Sequence, residues 1–401
     1  MKKILIILVG GNFLAQIINA IFIPVSTRLY GPEDFKNLSI FVSILMIIST
    51  VGGLRFDAAI VKSENREEAD GLLTLAIGSA CAVGAAVLLA LVVIQLSGIY
   101  ELAYYYWLLP FLIVAIVAYN GFHKISNINS KFNKLAKSRV SQAVLGNATL
   151  SLWGWLIGTS FGLFLGYSLM YCAGIFILYS KVKVPKVAAL KQIVKKYADY
   201  PKHSVTETLA DVTGYQLPIA LIGIYIVSNL AGYLFIAIKV MNLPITILAR
   251  ALSSFYVVKI REEKEDFSLD KSIVFCLIIG LLALFGCSVI FHQFSGLILG
   301  KDWNGFGNIL FLLIPWFAMQ FVTIVFNSVF YIFSAERFIS RLQIITNVIR
   351  VLLFIVALVL DKDNIILYLS LINFMFYVIW LMGIRVVFNR AKVLKGNQVI
   401  A

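Results

Sequence analysis

The sequence predicts an all-α integral membrane protein with about twelve transmembrane helices. Of its 401 residues, 61% are hydrophobic and 13% are charged, whereas soluble domains are about half apolar and about a quarter charged. The mean hydropathy is +0.92. The apolar residues also gather in stretches of about 20 residues, the length that a helix needs to cross the hydrocarbon core of a bilayer.

Twelve such stretches follow one another along the chain. The first carries polar residues and no small-residue cleavage site, so we interpret it as an uncleaved span and not as a signal peptide. The first six predicted spans are Ile4–Thr27, Leu38–Val61, Leu72–Ser97, Leu102–Phe122, Val140–Ile157 and Ser160–Tyr179. The second six are Lys202–Val227, Leu230–Val258, Ser272–Phe291, Phe306–Phe333, Phe338–Leu360 and Ile365–Phe388.

The basic residues lie mainly between the predicted spans. With the amino terminus in the cytoplasm, 26 of the 34 Lys and Arg residues fall in cytoplasmic segments, as the positive-inside rule requires. The outer segments hold only Arg28, Lys36, Lys301 and Lys362. This asymmetry predicts that both termini are cytoplasmic. It also accounts for the net charge of +14 without nucleic-acid binding.

One long, strongly basic segment divides the chain into two halves. The stretch from Lys181 to Lys202 contains seven Lys residues and separates six predicted spans from the other six. We therefore predict an amino-terminal six-helix lobe at residues 1–180, a cytoplasmic linker at 181–201 and a carboxy-terminal six-helix lobe at 202–401.

A weak internal repeat supports this division. An offset of 194 residues places Pro24 on Pro218, and each proline is predicted to close a helix that carries a polar stripe. Halves with an even number of spans run in parallel, as in transporters whose lobes are related by an axis along the membrane normal. The arrangement predicts two lobes around a central cavity, with transport as the default function.

The sequence has no pattern typical of an enzyme or of a metal protein. It contains no Gly-rich phosphate loop, no Ser/His/Asp constellation and no His/Cys pair with the spacing of metal ligands. Cys81, Cys172, Cys276 and Cys287 lie far apart inside apolar stretches, so disulfides and zinc are not expected. We therefore predict no catalytic residue, no cofactor and no metal.

Four basic residues lie within predicted spans, namely Arg55, Lys239, Arg250 and Arg350. Each costs about 2.5 to 3.5 kcal/mol at the bilayer centre and needs water, an acidic partner or an anionic substrate. We expect Lys239 and Arg350, near mid-span, to face a water-filled cavity. Lys239 and Arg250 are eleven residues apart, close to three helical turns, which predicts that both point from one face. For Arg55 and Arg250, snorkelling or an ion pair is an equally open interpretation.

Acidic residues also lie within predicted spans. In the seventh span, His203, Glu207 and Asp211 follow at i, i+4 and i+8 and form one stripe. With Asp57 of the second span they are candidates for proton or cation coupling, because burial raises the pKa of a carboxyl group and a nearby basic residue lowers it. The alternative is that these carboxylates neutralise the basic residues of the spans.

The first span carries a neutral counterpart of this stripe in Asn12, Gln16 and Asn19. A helix that faced lipid on this side would not retain three amide side chains, so we interpret both stripes as cavity walls. The alternative is a seam of hydrogen bonds between neighbouring helices.

Several segments resemble a known family. The run Pro24-Val-Ser-Thr-Arg-Leu-Tyr-Gly-Pro-Glu-Asp-Phe35 and the later run Gly53-Leu-Arg-Phe-Asp-Ala-Ala-Ile60 resemble the start of Wzx-type polysaccharide flippases. These flippases belong to the multidrug/oligosaccharidyl-lipid/polysaccharide (MOP) exporter superfamily. Leu217-Pro-Ile, Ala231-Gly-Tyr and Met241-Asn-Leu-Pro244 continue the resemblance. Lys36 departs from the pattern, which usually has Gly after the Phe.

The resemblance implies a MATE-like fold that moves undecaprenyl-pyrophosphate-linked repeat units to the outer leaflet of the bacterial cytoplasmic membrane. The product would be O-antigen of lipopolysaccharide, capsule or exopolysaccharide. Besides this substrate, the implied partners are membrane lipids, a polysaccharide polymerase and the chain-length machinery. The family cavity is lined with basic side chains, and the candidates by position and depth are Arg28, Arg55, Lys239, Arg250 and Arg350.

Two other functions remain open at this point. A cation-coupled exporter of drugs or small molecules in the same superfamily would have an acidic, aromatic cavity. A membrane-embedded glycosyltransferase or ligase would act on the same lipid-linked sugars. Such enzymes carry large external loops or domains, whereas no predicted external loop here exceeds about 15 residues.

Overall fold

The computed structural model describes residues 2–98, 101–226, 228–262, 267–333 and 335–399. Throughout these ranges the regular structure is helical, without any strand. The predicted all-α membrane fold is therefore confirmed. Lys264 and the carboxy-terminal Ala401, both used in the prediction of topology, lie outside the described residues.

Contacts divide the chain into two compact units, residues 1–224 and 225–401. The helices of the first unit are α1 Lys2–Leu29, α2 Pro32–Gly52, α3 Phe56–Ala59, α4 Arg66–Ser97, α5 Leu109–Ile128, α6 Phe132–Leu156, α7 Phe161–Leu178, α8 Val187–Lys196 and α9 Val205–Tyr225. Those of the second are α10 Leu230–Pro244, α11 Arg250–Glu262, α12 Leu269–Ile298, α13 Phe306–Phe326, α14 Ser328–Ile332, α15 Glu336–Leu360 and α16 Ile365–Val399. This division falls after the predicted linker, and the six-plus-six lobes stay a prediction.

Nine helical segments of the described residues are long and apolar enough to cross a membrane. They match nine of the predicted spans. The first, fifth and seventh predicted spans coincide with α1, α6 and α9, which have 28, 25 and 21 residues. At 1.5 Å per residue all three reach across a bilayer core. The polar residues of α6 and α9 lower the hydropathy of these two helices, and the count of twelve spans stays a prediction.

The second predicted span ends earlier than the sequence suggested. Helix α2 stops at Gly52, and Leu54 and Arg55 follow with φ angles of 45° and 59°. This left-handed conformation costs about 1–2 kcal/mol per non-glycine residue and does not continue a right-handed helix. Arg55 and Asp57 were predicted to lie within a span. That prediction is wrong, because both lie in the turn and the short helix α3 beyond α2.

Pro24 and Pro218 lie inside α1 and α9. The prediction that each proline closes its helix is therefore wrong. Membrane helices tolerate proline because neighbouring helices and hydroxyl side chains compensate for the backbone hydrogen bond that is lost. In α1, the Ser26 and Thr27 side chains donate to the Ile23 carbonyl at 2.9 and 3.0 Å, in the turn that follows the proline.

The loop between α1 and α2 is fixed by specific contacts. Tyr30 is 3% exposed, and its hydroxyl donates to the Leu150 carbonyl of α6 at 2.7 Å. Pro32 begins α2 with a preset φ, and the Gly31 amide donates to the Asp34 carboxylate at 3.0 Å. The conspicuous Tyr-Gly-Pro-Glu-Asp run thus has a structural role: it joins two helices and attaches their turn to α6.

In the second unit the core is centred on α13 and α14. Their inward side chains are aromatic, and Trp316, Phe317, Phe321, Phe326 and Phe330 are at most 1% exposed. Helix α13 packs against α12 on one side and α16 on another. Such packing holds the helices that carry Lys239 and Arg350 in place.

Candidate functional site

Lys239 lies nine residues after the start of the candidate span Leu230–Ile260 and is exposed. Its Nζ lies 4.5 Å from the centre of the Phe235 ring, one helical turn earlier. A cation–π contact of this kind stabilises a lysine by about 0.5–2 kcal/mol, less than the cost of placing it in hydrocarbon. None of the salt bridges found among the described residues involves Lys239. Among the described residues the ammonium group is thus in contact with the Phe235 ring and is not in a salt bridge.

Arg250 is also exposed, and the chain between it and Lys239 is not a continuous α-helix. A π-helical turn, Ile245–Ala249, separates α10 from α11. Pro244 precedes this turn and supplies no amide hydrogen for the regular i to i−4 bond, which favours the wider turn. The turn changes the angle between Lys239 and Arg250 about the helix axis from the value that regular α-helical spacing gives. Their common face stays a prediction.

Arg350 does not face water, contrary to the sequence-based expectation. Its side chain is 4% exposed, its guanidinium carbon lies 5.0 Å from the centre of the Phe376 ring of α16, and Nη1 donates to Asn347 Oδ1 at 3.4 Å. The spacing that placed it in mid-span was correct, but it could not show that α15 turns this side chain toward α16. These contacts give Arg350 a place in the packing of α15 on α16.

Arg55 and Asp57 lie close together after α2, in the turn and the short helix α3. Asp57 is 6% exposed. Burial raises its pKa, while the charges of Arg55 and of Lys124 on α5 and two backbone amides lower it. Nε of Arg55 is buried without a hydrogen-bond partner. The pair is thus a charged cluster at the end of α2 and not a group within the span.

The residues of the predicted acidic stripe are only partly aligned. Glu207 and Asp211 are half-buried and lie one turn apart on α9. His203 is exposed and belongs to a π-helical turn, Tyr200–Ser204, that precedes α9. Glu207 takes part in none of the salt bridges of the described residues. The two carboxylates remain a candidate pair, whereas His203 stands outside the regular helix.

The neutral stripe of α1 has a mixed character. The Asn19 side-chain oxygen accepts a hydrogen bond from Asn147 Nδ2 of α6 at 2.8 Å, as an inter-helix seam would require. Asn12, by contrast, is exposed. A second seam joins α2 to α9, where the Ser43 hydroxyl donates to Gln216 Oε1 at 3.1 Å. Arg28 lies in the last turn of α1 and is exposed.

Four residues that support these charges were not singled out from the sequence. Phe235 lies four residues before Lys239 and Asn347 three residues before Arg350, so helical spacing could have identified both. Lys124 and Phe376 come from other helices, and only the packing brings them close. No group of three or more His, Cys, Asp or Glu side chains in the described part of the chain is arranged to hold a metal ion.

The fold is shared with solved membrane transporters. The lipid II flippase MurJ, in an inward closed conformation, has a TM-score of 0.64 and 14% identity over 98% of this chain and 90% of its own. A multidrug resistance MATE family transporter of the MOP superfamily, in an inward-facing conformation, has a TM-score of 0.62 and 13% identity, over 94% and 95%. A MOP superfamily transporter from Pyrococcus furiosus has a TM-score of 0.55 and 13% identity, over 97% and 96%.

No curated protein sequence matches the chain significantly. A family profile described as "Polysaccharide biosynthesis protein" matches residues 25–306. This match begins within the run of residues that first suggested a resemblance, and it confirms the kind of family that the run indicated. The chain therefore belongs to the polysaccharide biosynthesis protein family and has the fold of transporters of the MOP superfamily.

Proposed function

We propose that the protein is a flippase that moves undecaprenyl-pyrophosphate-linked oligosaccharide repeat units from the cytoplasmic to the outer leaflet of the bacterial cytoplasmic membrane. Lys239 is the observation that carries the proposal: an exposed ammonium group within a candidate span, nine residues from its start. A charge in this position is costly unless it meets water or an anion. A pyrophosphate head group in a surface-polysaccharide pathway supplies such an anion.

The chemistry of the substrate fits the residues that remain candidates. Arg28, Arg55 and Arg250 carry guanidinium groups, which bind phosphate oxygens in bidentate fashion, and Lys239 adds a mobile point charge. The polyprenyl tail can stay in the bilayer while the glycan crosses a hydrated path. In this proposal the site opens alternately to each membrane surface. Arg350, which is buried, acts by holding α15 and α16 and not by direct contact with the substrate.

Reconstitution tests this function directly. Purified protein in liposomes should move a fluorescent polyprenyl-pyrophosphate oligosaccharide between leaflets, measured as the fraction of label that a membrane-impermeant quencher reaches. Protein-free liposomes and heat-inactivated protein give the background rate. Flipping at the background rate, together with transport of a cationic drug, would contradict the proposal and favour the exporter alternative.

We propose Glu207 and Asp211 as a proton or cation site that is coupled to transport. The other two candidates lie near the ends of helices, Asp57 after the end of α2 and His203 before the start of α9. Net movement in one direction needs a sink outside or a coupled ion, and adjacent carboxylates in a span can bind a proton or sodium. In Glu207→Gln with Asp211→Asn, flipping should lose most of its response to an imposed gradient while exchange without a gradient persists. If the double variant is active and its flipping depends on the gradient as strongly as that of wild type, the coupling role is excluded.

The proposal places both termini in the cytoplasm and the polysaccharide polymerase and chain-length machinery next to the protein in the membrane. Its support is the distribution of Lys and Arg between the spans. A reporter fused after Ala401 that is active only outside the cytoplasm would contradict the orientation.

A further inference from the structure

Helix α8, in the predicted linker, packs on the beginning of α4 in the first unit. Ile193 is 6% exposed and lies against Gly71 of α4, where any larger residue would collide with it. Lys196 Nζ binds the Glu64 and Glu68 carboxylates at 3.0 and 2.6 Å. The Tyr197 hydroxyl donates to Glu68 Oε2 at 2.9 Å. One side of α8 is therefore fixed to the first unit.

The position of this contact defines the depth of α8 relative to the membrane. Helix α4 begins at Arg66, whose Nη2 donates to the Ser180 hydroxyl and the Lys181 carbonyl at 3.3 and 3.2 Å. The start of candidate span α4 and the end of candidate span α7 therefore lie at the same membrane surface. Gly71 lies five residues into α4, roughly 8 Å along the axis from Arg66. Helix α8 therefore lies at the level where charged ends of spans meet the apolar part of the bilayer.

The free side of α8 combines exposed valines with lysines. Val184, Val187 and Val194 are 71%, 69% and 40% exposed, and the last two lie seven residues apart on one side of the helix. Lys191 and Lys195 lie beside them and are exposed. From 181 to 202 the chain has seven lysines and a single acidic residue, Asp199. Of these lysines only Lys196 takes part in a salt bridge found in the described structure.

We infer that the free side of α8 is a binding surface for anionic lipid headgroups, with Val187 and Val194 inserted between the lipids and Lys191 and Lys195 on their phosphates. Interfacial helices bind membranes through such a pairing of apolar residues and basic neighbours. A basic face selects anionic over zwitterionic lipid. This inference does not rest on the proposed transport function.

The experiment uses the full-length chain in lipid nanodiscs. After substitution of its four cysteines, Cys81, Cys172, Cys276 and Cys287, single cysteines are introduced for spin labelling. Val187→Cys and Val194→Cys are the test positions. Gln192→Cys is the matched control, because Gln192 is exposed and lies about 140° around the helix axis from Val187. Accessibility to oxygen and to a water-soluble nickel chelate is measured by electron paramagnetic resonance.

In nanodiscs with equal parts of phosphatidylglycerol and phosphatidylcholine, the labels at 187 and 194 should be accessible to oxygen and protected from nickel. The control label at 192 should show the reverse. Each lysine favours the membrane-bound position by about fivefold at an anionic surface. The double variant Lys191→Gln, Lys195→Gln should therefore lower the ratio of membrane-bound to free α8 by up to about 30-fold. Nanodiscs of phosphatidylcholine alone should lower this ratio as well.

Two results would overturn the inference. Labels at 187 and 194 that are as accessible to nickel as the control label at 192 would show that this face meets water, and would favour an acidic protein as its occupant. Protection that is unchanged by lipid charge and by the double Lys→Gln variant would exclude headgroup recognition. Variants whose size-exclusion profiles match wild type are the ones that remain folded. The change of lipid alone tests headgroup recognition without any further substitution.

Discussion

Replacing Lys239 by Ala should lower the rate of lipid-linked oligosaccharide flipping by at least about tenfold without reducing the amount of folded protein. A hydrogen bond to a charged group contributes about 1.5–3 kcal/mol, and about 1.4 kcal/mol corresponds to a tenfold change. The side chain is exposed, so its truncation leaves no cavity in the core. The measurement is the leaflet-exchange rate in proteoliposomes, normalised to the reconstituted protein.

Two variants make this result specific. Lys239→Arg keeps the charge and should retain most of the rate, since only the geometry of the cation changes. Lys301→Ala is the matched control, because this lysine is equally exposed but lies in a short turn, Lys301–Trp303, outside the candidate spans. If Lys239→Ala flips at the wild-type rate, the ammonium group serves the lipid interface and the proposal loses its main support.

Arg350 gives the contrast that separates a binding residue from a packing residue. It is 4% exposed and lies against Phe376 and Asn347. Truncation of this side chain removes contacts from the α15–α16 interface, and its first effect is on stability and not on substrate affinity. Any loss of transport in Arg350→Ala should therefore follow the loss of folded protein, whereas the loss in Lys239→Ala should not.

Replacing Gly166 by Val should prevent normal packing of the first unit. A Cβ atom at position 166 would lie 2.6 Å from the Gly146 carbonyl oxygen and 2.9 Å from the Leu150 Cβ of α6. Small residues let membrane helices approach this closely. Because the obstructing atom is backbone, rotation of a side chain cannot relieve the clash. The cost should be about 3 kcal/mol, the upper end of the usual range for overpacking.

The readout is the monodisperse fraction and the midpoint of thermal unfolding in detergent. Gly78→Val is the matched control: Gly78 lies in α4, another candidate span, and a Cβ there meets nothing within 4 Å. The control should behave like wild type apart from a small gain in helix propensity. Equal unfolding midpoints for the two variants would mean that α6 and α7 do not cross at these glycines.

Composition and periodicity were sufficient to predict the class of fold. Stretches of about 20 apolar residues are long enough to cross a bilayer only as helices. Helix α7 therefore agrees with its predicted span within one residue at each end, and α4, α12 and α13 overlap theirs with one end displaced by six or seven residues. The residues from Pro24 to Phe35 were sufficient to indicate the family. Their contacts give the reason: Tyr30, Gly31 and Asp34 fix a turn that the fold itself requires.

The sequence by itself determined which segments are helical, where charges enter the spans and which family the chain belongs to, because these follow from local composition. Only the tertiary structure decided where each charge points. Arg350 is turned toward Phe376 by the packing of α15 on α16, and Arg55 leaves its helix through a left-handed turn. A π-helical turn changes the angle between Lys239 and Arg250 about the helix axis. The direction of a side chain depends on the accumulated rotation of the helix and on its neighbours, and a single extra residue in one turn changes it by roughly 100°.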